Sequence, residues 1–231
     1  MTHAGNTMSA EVTVDQVVQS LVATHIAPQS RPSDLDAFLQ WARSKRISIV
    51  FVDLPSAARA RETLAGCATQ IGIPCAHPTG FLATSVKAAF VKAAIAAGVD
   101  EIDMGLNIDR LREGDFGWVT REVRQLMDVS EHAIRLVFTA DLPLLLLADA
   151  LQGCEAIVRG GGEAVCTAWG YGVKSDADLI KTLASRFSGE LQVEASGGIR
   201  TYAVARDMLA YGAYRVHSGH PDAILKEALD D

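Results

Sequence analysis

Two kinds of apolar segment alternate along the chain, and this alternation is the first guide to its fold. Short runs rich in β-branched residues, such as residues 47–52, are typical of buried strands. The longer segments between them repeat their apolar residues every three or four positions, as amphipathic helices do. A chain in which each strand is followed by a helix is expected to form a parallel sheet.

The pattern predicts seven clear strands and a weaker first one. The strands are placed at residues 24–26, 47–52, 73–77, 101–106, 134–138, 164–168, from 191 to the Gly197-Gly198 turn, and 214–217. The helices are placed at residues 12–23, 33–44, 57–71, 84–97, 117–129, 143–159, 175–186, 202–210 and from the last strand to 229. Eight such units predict a (β/α)8 TIM barrel, a single domain over residues 11–231. The alternative is an open doubly wound sheet, which normally has fewer strands in a chain of this length.

Composition narrows the class of protein. The 231 residues are 49% hydrophobic, enough for one large core, and the net charge of −7 is spread without the basic run that nucleic-acid binding requires. No apolar run is long enough to span a membrane, and residues 1–10 lack the pattern of a secretory signal, so we expect a disordered lead-in to a cytoplasmic protein. The four cysteines are scattered without metal-ligand spacing, so neither a metal nor a cofactor is expected.

Polar residues at the ends of the predicted strands are the candidates for a site, because a barrel of this type forms its active site there. Asp103 and Glu194 are acidic residues inside apolar strands, where a carboxylate is either matched to a cation or kept for function. Two carboxylates over one mouth could act as acid and base. Cys166 is a nucleophile or part of the wall, and Arg135 either binds substrate or pairs with a carboxylate inside the barrel.

The turn after the seventh strand is a candidate anion site. Gly197 and Gly198 let the backbone approach a ligand, and the free N–H groups at the start of the next helix can hold a phosphate or carboxylate, with Ser218 or His220 opposite. The catalytic candidates are Asp103, Glu194, Cys166 and His217. The candidates for binding a small, anionic substrate are Asn107, Arg135, Thr167, Trp169, Lys174, Ser196, Gly197, Gly198, Ser218 and His220.

Three segments, taken in order, resemble the deoxyribose-phosphate aldolase family. They are Val86-Lys87 opening a helix that ends in Ala96-Ala97-Gly98, Asp100-Glu101-Ile102-Asp103-Met104 followed by Asn107, and Ala195-Ser196-Gly197-Gly198-Ile199-Arg200-Thr201. The likeness runs from about Val22 to the end of the chain. It implies a barrel whose sixth-strand lysine forms a Schiff base with an aldehyde, assisted by a seventh-strand lysine and a fourth-strand aspartate. Such barrels often form dimers, so a homodimer is a further expectation.

The family's aspartate matches Asp103, but neither of its lysines has a counterpart here. Cys166 stands at the Schiff-base position and Glu194 at the second position. Because a thiol cannot form an iminium, the covalent mechanism is not available at its usual place. Among the remaining lysines, Lys174 alone is expected to reach the mouth, whereas Lys87 is expected on the outer face of its helix.

Three functions fit these residues. The first is an enzyme that keeps the barrel and a small carbonyl or sugar-like substrate but uses acid/base chemistry without a Schiff base, as a lyase, cyclase or isomerase in specialised metabolism would. The second is a catalytically silent binding or regulatory protein, which the loss of both amines favours. The third is an aldolase that uses Lys174 as a relocated amine.

Overall fold

Eight parallel strands form a closed barrel in the computed structural model, which describes residues 12–26, 30–170 and 172–230. The strands are β1 Leu21–Thr24, β2 Ile49–Phe51, β3 Gln70–Cys75, β4 Glu101–Gly105, β5 Arg135–Thr139, β6 Ala164–Cys166, β7 Gln192–Ala195 and β8 Arg215–Ser218. Each strand pairs with the next one in the chain, and β8 returns to β1 with Val216 opposite Leu21. The predicted (β/α)8 barrel is therefore confirmed.

Helices follow the strands and surround the barrel. They are α1 Val14–Ser20, α2 Pro32–Lys45, α3 Ala57–Thr63, α4 Thr84–Ala96, α5 Ile108–Arg112, α6 Phe116–Ser130, α7 Leu147–Arg159, α8 Ala177–Arg186, α9 Tyr202–Ala210 and α10 Pro221–Asp230, with short 3₁₀ helices at Leu54–Ser56 and Leu142–Leu144. Of these described helices, none is long and apolar enough to cross a membrane. The predicted lead-in at residues 1–10 lies outside the described residues.

The main core lies between the barrel and its helices. In β4, Ile102 and Met104 are fully buried in this outer layer, whereas Glu101 and Asp103 point into the barrel. This division follows from strand geometry, because successive side chains point to opposite faces. Burying an aliphatic side chain of this size stabilises the fold by roughly 1.5–3 kcal/mol. The same alternation therefore builds the core and aims every second residue at the barrel axis.

Several predicted bounds differ from the structure by a few residues, and three of them show why. The helix predicted at 57–71 ends at Thr63, because Gly66 adopts a left-handed conformation (φ +78°) and the chain then enters β3 at Gln70. The first strand begins at Leu21, three residues earlier than predicted, since the run from Leu21 is buried on both faces of the barrel wall. The helix predicted at 143–159 is divided into a 3₁₀ turn and α7.

Candidate active site

A cavity of about 250 Å³ opens at the carboxyl ends of the strands, where the barrel fold places active sites. We call it the mouth cavity. Of the candidates predicted from the sequence, it is lined by Asp103, Trp169, Ser196, Gly197, Gly198, His217, Ser218 and His220. It is also lined by Thr24, Ile26, Phe51, Pro74, His77, Ala168, Gly170, Ile199, Arg200 and Gly219.

Asp103 and His217 form the base of the mouth cavity. They come from β4 and β8, and the distance from His217 Nδ1 to Asp103 Oδ2 is 3.7 Å. Both residues are more than nine-tenths buried, and the ring of Phe51 packs against the His217 imidazole with 5.6 Å between ring centroids. A carboxyl group and an imidazole that both line the mouth cavity therefore face each other.

Glu194 lies directly beneath this pair and holds the histidine in place. Its Oε2 atom is 2.7 Å from His217 Nε2, while Oε1 accepts hydrogen bonds from the Arg215 guanidinium at 2.8 and 3.1 Å. Arg135 makes a further ion pair with Oε1 at 2.8 Å. Glu194 is completely buried and does not line the mouth cavity. The register predicted for it is correct, but its expected exposure to the pocket is not.

Below Glu194, charged side chains fill the barrel. Arg215 donates to both carboxylate oxygens of Glu101 at 2.6 Å, and Arg135 donates to Glu101 at 2.6 Å and to Gln192 at 2.7 Å. We call Glu101, Arg135, Glu194 and Arg215 the interior ion layer. Arg135 was a candidate for substrate binding, and this is corrected: it pairs with the carboxylates of Glu101 and Glu194 and does not line the mouth cavity.

The surroundings of the two carboxylates move their pKa values in opposite directions. Burial raises the pKa of Asp103 to about 7, and the positive charge of His217 opposes this shift. Burial also acts to raise the pKa of Glu194, but the hydrogen bond from His217 and the charge of Arg215 outweigh it and lower that pKa to about 2. Glu194 is therefore a permanent anion, whereas Asp103 can exchange a proton near neutral pH.

His217 carries a proton more readily than a free histidine. Burial alone would lower its pKa, but the Cys166 sulfur and the carboxylates of Asp103 and Glu194 raise it well above the usual value. The Glu194 contact occupies Nε2, so the Nδ1 atom faces Asp103. Glu194 therefore fixes the orientation of the His217 imidazole so that its Nδ1 atom faces Asp103.

Cys166 lies next to His217 but behind the cavity wall. Its thiol donates to the Ala168 carbonyl oxygen at 3.6 Å, and burial raises its pKa. The residue is 1% exposed and does not line the mouth cavity. A buried thiol with a raised pKa holds little of the nucleophilic thiolate.

The turn after β7 forms one wall of the mouth cavity with free backbone donors. Gly197 and Gly198 both have positive φ values (+102° and +71°), and neither N–H group donates to another described residue. Opposite them, Ser218 donates its hydroxyl to the Ile199 carbonyl and accepts from the His220 amide. Its proton is therefore already engaged, and the positive charge at this wall comes from the exposed Arg200.

Trp169 narrows the other side of the entrance. Its ring meets the His77 ring edge-on with 4.5 Å between centroids, and its amide donates to Asp141 at 2.8 Å. The indole Nε1 has no hydrogen-bond partner among the described residues. Arg200 and His77, which share the rim, were not among the predicted site residues. The only sequence signals for them are the Arg in the Ser-Gly-Gly-Ile-Arg-Thr segment and a histidine at the end of a predicted strand.

Three further candidates lie away from the mouth cavity. Asn107 caps α5 by accepting from the Asp109 and Arg110 amides. Thr167 is fully buried behind the wall, and Lys174 is exposed alongside Gly198 without lining the cavity. None of these three side chains lines the mouth cavity.

Lys87 is not on the outside of its helix, as the sequence suggested. It is completely buried, donates to the Gly105 carbonyl at 2.7 Å and pairs with Glu122 at 3.0 Å. Its amine is committed to this structural pair behind β4, because a buried ammonium ion needs a matching charge. Of the described residues that line the mouth cavity, none is a lysine.

The chain is similar in sequence to curated deoxyribose-phosphate aldolases over nearly its whole length. It is 27% identical to deoxyribose-phosphate aldolase 2 of Oceanobacillus iheyensis, covering 91% of this chain and 95% of that protein. It is 28% identical to the deoxyribose-phosphate aldolase of Streptococcus pneumoniae, covering 90% and 94%. No protein-family model matches the chain.

Solved structures with the same fold carry related names. A crystal structure described as a putative deoxyribose-phosphate aldolase from Coccidioides immitis superposes with a TM-score of 0.87 at 23% identity, covering 95% of this chain and 87% of that one. The deoxyribose phosphate aldolase from Aeropyrum pernix, described as a tetramer, gives a TM-score of 0.84 at 18% identity, covering 93% and 91%. At such identities the structures support the barrel fold alone.

Proposed function

Because this chain is a relative of the deoxyribose-phosphate aldolases along almost its full length, we propose that it is an aldolase-superfamily enzyme that acts on a small carbonyl substrate without forming an iminium. One observation carries the proposal. The base of the mouth cavity pairs a carboxyl group of pKa about 7 with a clamped imidazole, and no described lining residue supplies an amine. The chemistry that such a pair supports is proton transfer next to a carbonyl group.

The proposed step is enolisation. Asp103 takes a proton from the carbon beside the carbonyl, the electron pair of that C–H bond forms a C=C bond, and the carbonyl oxygen receives a proton from His217. Lyases, cyclases and isomerases of carbonyl substrates share this step and differ in what the enol does next. Glu194 does not touch the substrate in this scheme. It positions His217 and stabilises its charge.

The substrate is proposed to carry an anionic end. The free amides of Gly197 and Gly198 and the guanidinium of Arg200 lie at the same wall, which would hold a phosphate or carboxylate. A cavity of about 250 Å³ is suited to a small, sugar-like molecule. The carbonyl would then lie at the base and the anion at the rim.

Proton exchange tests this proposal without knowledge of the true substrate. Dihydroxyacetone phosphate and acetaldehyde, incubated with the enzyme in D₂O, should gain deuterium beside the carbonyl, as followed by NMR. Sodium borohydride added with either compound should leave the intact mass of the protein unchanged, because no imine forms between substrate and enzyme. The Streptococcus pneumoniae relative is the positive control for trapping.

Two results would contradict the proposal. A borohydride adduct on Lys174 would restore an aldolase that uses a relocated amine. Binding of small phosphorylated carbonyls with no exchange in any of them would favour the silent binding protein instead.

A further inference from the structure

Three metal-ligand side chains converge beneath the mouth cavity. One ligand atom each from Asp103, Cys166 and His217 lies within 4.8 Å of the other two, and all three residues are buried. They come from β4, β6 and β8, so the barrel itself sets their spacing. Carboxylate oxygen, thiolate sulfur and imidazole nitrogen are the three ligand types that zinc uses in proteins.

The histidine is oriented as a metal ligand would be. Metal-bound histidines usually donate the second ring N–H to a carboxylate, which fixes the tautomer. Glu194 provides this contact at 2.7 Å from Nε2, and Nδ1 is directed at Asp103. Glu194 is in turn held by two arginines, so the orientation is rigid.

One carboxylate oxygen of Asp103 has no hydrogen-bond partner among the described residues. This atom, Oδ1, is buried, while Oδ2 faces His217. An acceptor left without a partner in the interior costs roughly 1–3 kcal/mol. Asp103 also lines the mouth cavity, so this oxygen belongs to a group that a ligand can reach from the open side.

The balance of charged side chains inside the barrel also favours a bound cation. The described interior carboxylates are Glu101, Asp103 and Glu194, and the guanidiniums that meet them are those of Arg135 and Arg215. With all three carboxylates ionised, one negative charge is left over, and a cation held beside Asp103 and His217 would offset it. A divalent ion together with a Cys166 thiolate leaves the interior neutral.

We propose that Asp103, Cys166 and His217 bind a divalent transition-metal ion, best matched by zinc, with its fourth position open to the mouth cavity. Three protein ligands and one open position are the pattern of catalytic zinc. Binding removes the thiol proton of Cys166 and any proton on His217 Nδ1, and both leave to solvent. The ion would then replace the His217 proton as the group that polarises the substrate carbonyl, while the Asp103 oxygen that does not bind the ion would still accept the proton, and this role rests on the proposed function.

Cobalt is the probe, because Co²⁺ occupies zinc sites and its thiolate complexes absorb in the near ultraviolet. The full-length protein, stripped with a chelator and dialysed, should bind about one Co²⁺ per chain with a thiolate charge-transfer band, and Zn²⁺ should displace it. Cys166→Ser should abolish the band. Cys67→Ser is the matched control, since Cys67 is a more exposed thiol at the opposite end of the barrel, and it should leave the band unchanged.

Two near-isosteric variants keep the test independent of the folding of Cys166→Ser. Asp103→Asn should raise the Kd for Co²⁺ at least tenfold. Glu194→Gln should raise it roughly 10- to 100-fold while keeping the band, as loss of an outer carboxylate does at other sites. Circular dichroism of each variant reports whether the fold is intact.

No band in the folded wild-type protein, or a band that survives in folded Cys166→Ser, would overturn the metal site. The proposed function fails separately. If the protein shows the cobalt band but catalyses no exchange, the metal site is supported and the proposed function is wrong. If it catalyses exchange at full rate after chelation and shows no band, the proposed function is supported and the metal site is wrong.

Discussion

Three described carboxylates point into the barrel, and their partners give them different properties. Glu101 and Glu194 are each bound by arginine side chains, so their charges are fixed. Among the described residues, Asp103 has no arginine partner and one of its oxygens has no hydrogen-bond partner, and burial raises its pKa to about 7. At the level of single residues, Asp103 is therefore the carboxyl group best suited to exchange a proton or to bind a metal.

Asp103→Asn should lower kcat for deuterium exchange by about 10² or more, the usual contribution of a general acid or base. The amide keeps the shape of the carboxylate but cannot accept the proton. The measurement is the NMR exchange rate with dihydroxyacetone phosphate. Asp53→Asn is the control, because Asp53 lies at the same end of the barrel but is exposed and only caps a 3₁₀ turn through the Ser56 amide. Equal rates in the two variants would remove Asp103 from the chemistry.

Part of this site could be predicted from the sequence, because a barrel of this type forms its site at the ends of its strands. Asp103, Glu194 and His217 were predicted as site residues on that basis. The metal-ligand cluster could not be predicted, since its members lie on β4, β6 and β8, far apart in the chain. Spacing rules that search for close cysteine and histidine pairs miss such a set. The hydrogen bond that Glu194 makes to His217 depends on the pairing of β7 with β8, which the sequence does not show directly.

At the scale of elements, the turn between β7 and α9 depends on its two glycines. A Cβ atom on Gly197 would lie 2.4 Å from the Val173 carbonyl oxygen, so no other residue fits. Gly198 has more space, since a Cβ atom there would lie 3.4 Å from its nearest neighbour, Lys174 Cγ, but it has a left-handed backbone. For this reason the Gly-Gly pair could be predicted as a βα turn. The short helix α5 was not predicted, because five residues show too little periodicity of apolar positions.

Gly198→Ala should weaken anion binding at least tenfold, because a side chain at this φ shifts the amides that face the cavity. The measurement is the Kd for inorganic phosphate by calorimetry. Gly189→Ala is a matched control. Gly189 has nearly the same φ (+79°), has no atom within 4 Å of its Cβ position and lies before β7 at the other end of the barrel. Both variants should lose similar stability, about 1–2 kcal/mol.

The two variants separate binding from folding. If Gly189→Ala weakens phosphate binding as much as Gly198→Ala does, the effect comes from general destabilisation. If neither changes the Kd, the turn is not the anion site.

At the scale of the whole molecule, the interior ion layer is sensitive to the loss of any one of its charged partners. Arg215→Met would leave Glu101 and Glu194 facing each other without this guanidinium, and removing one partner of a buried ion pair costs about 3–5 kcal/mol. We expect this loss in the free energy of unfolding by urea. Arg159→Met, in an exposed pair on α7, should change it by less than about 0.5 kcal/mol.

A double-mutant cycle adds a second measurement. Glu101→Gln combined with Arg215→Met should cost less than the sum of the single changes, because Glu101 is then no longer an unpaired charge. Additive losses would show that the two side chains are not coupled in solution.

The fold as a whole was predictable because one unit repeats. Each strand–helix pair leaves its own signal, and an error of a few residues in one of them, as at β1 or α3, does not change the count. The substrate and the expected homodimer are harder to predict than the fold, because they depend on surface side chains that the repeated strand–helix unit does not determine. They stay predictions.

The interior ion layer also affects the route by which substrate enters the mouth cavity and product leaves it. In the described part of the chain, salt-bridged side chains fill the barrel below Glu194, so a ligand is expected to enter and leave the mouth cavity at the carboxyl ends of the strands. Substrate and product would therefore pass through the same opening of the mouth cavity. In a reaction that splits a molecule in two, the fragment bound at the rim would have to depart before the fragment at the bottom, and the order of release would follow from the shape of the cavity.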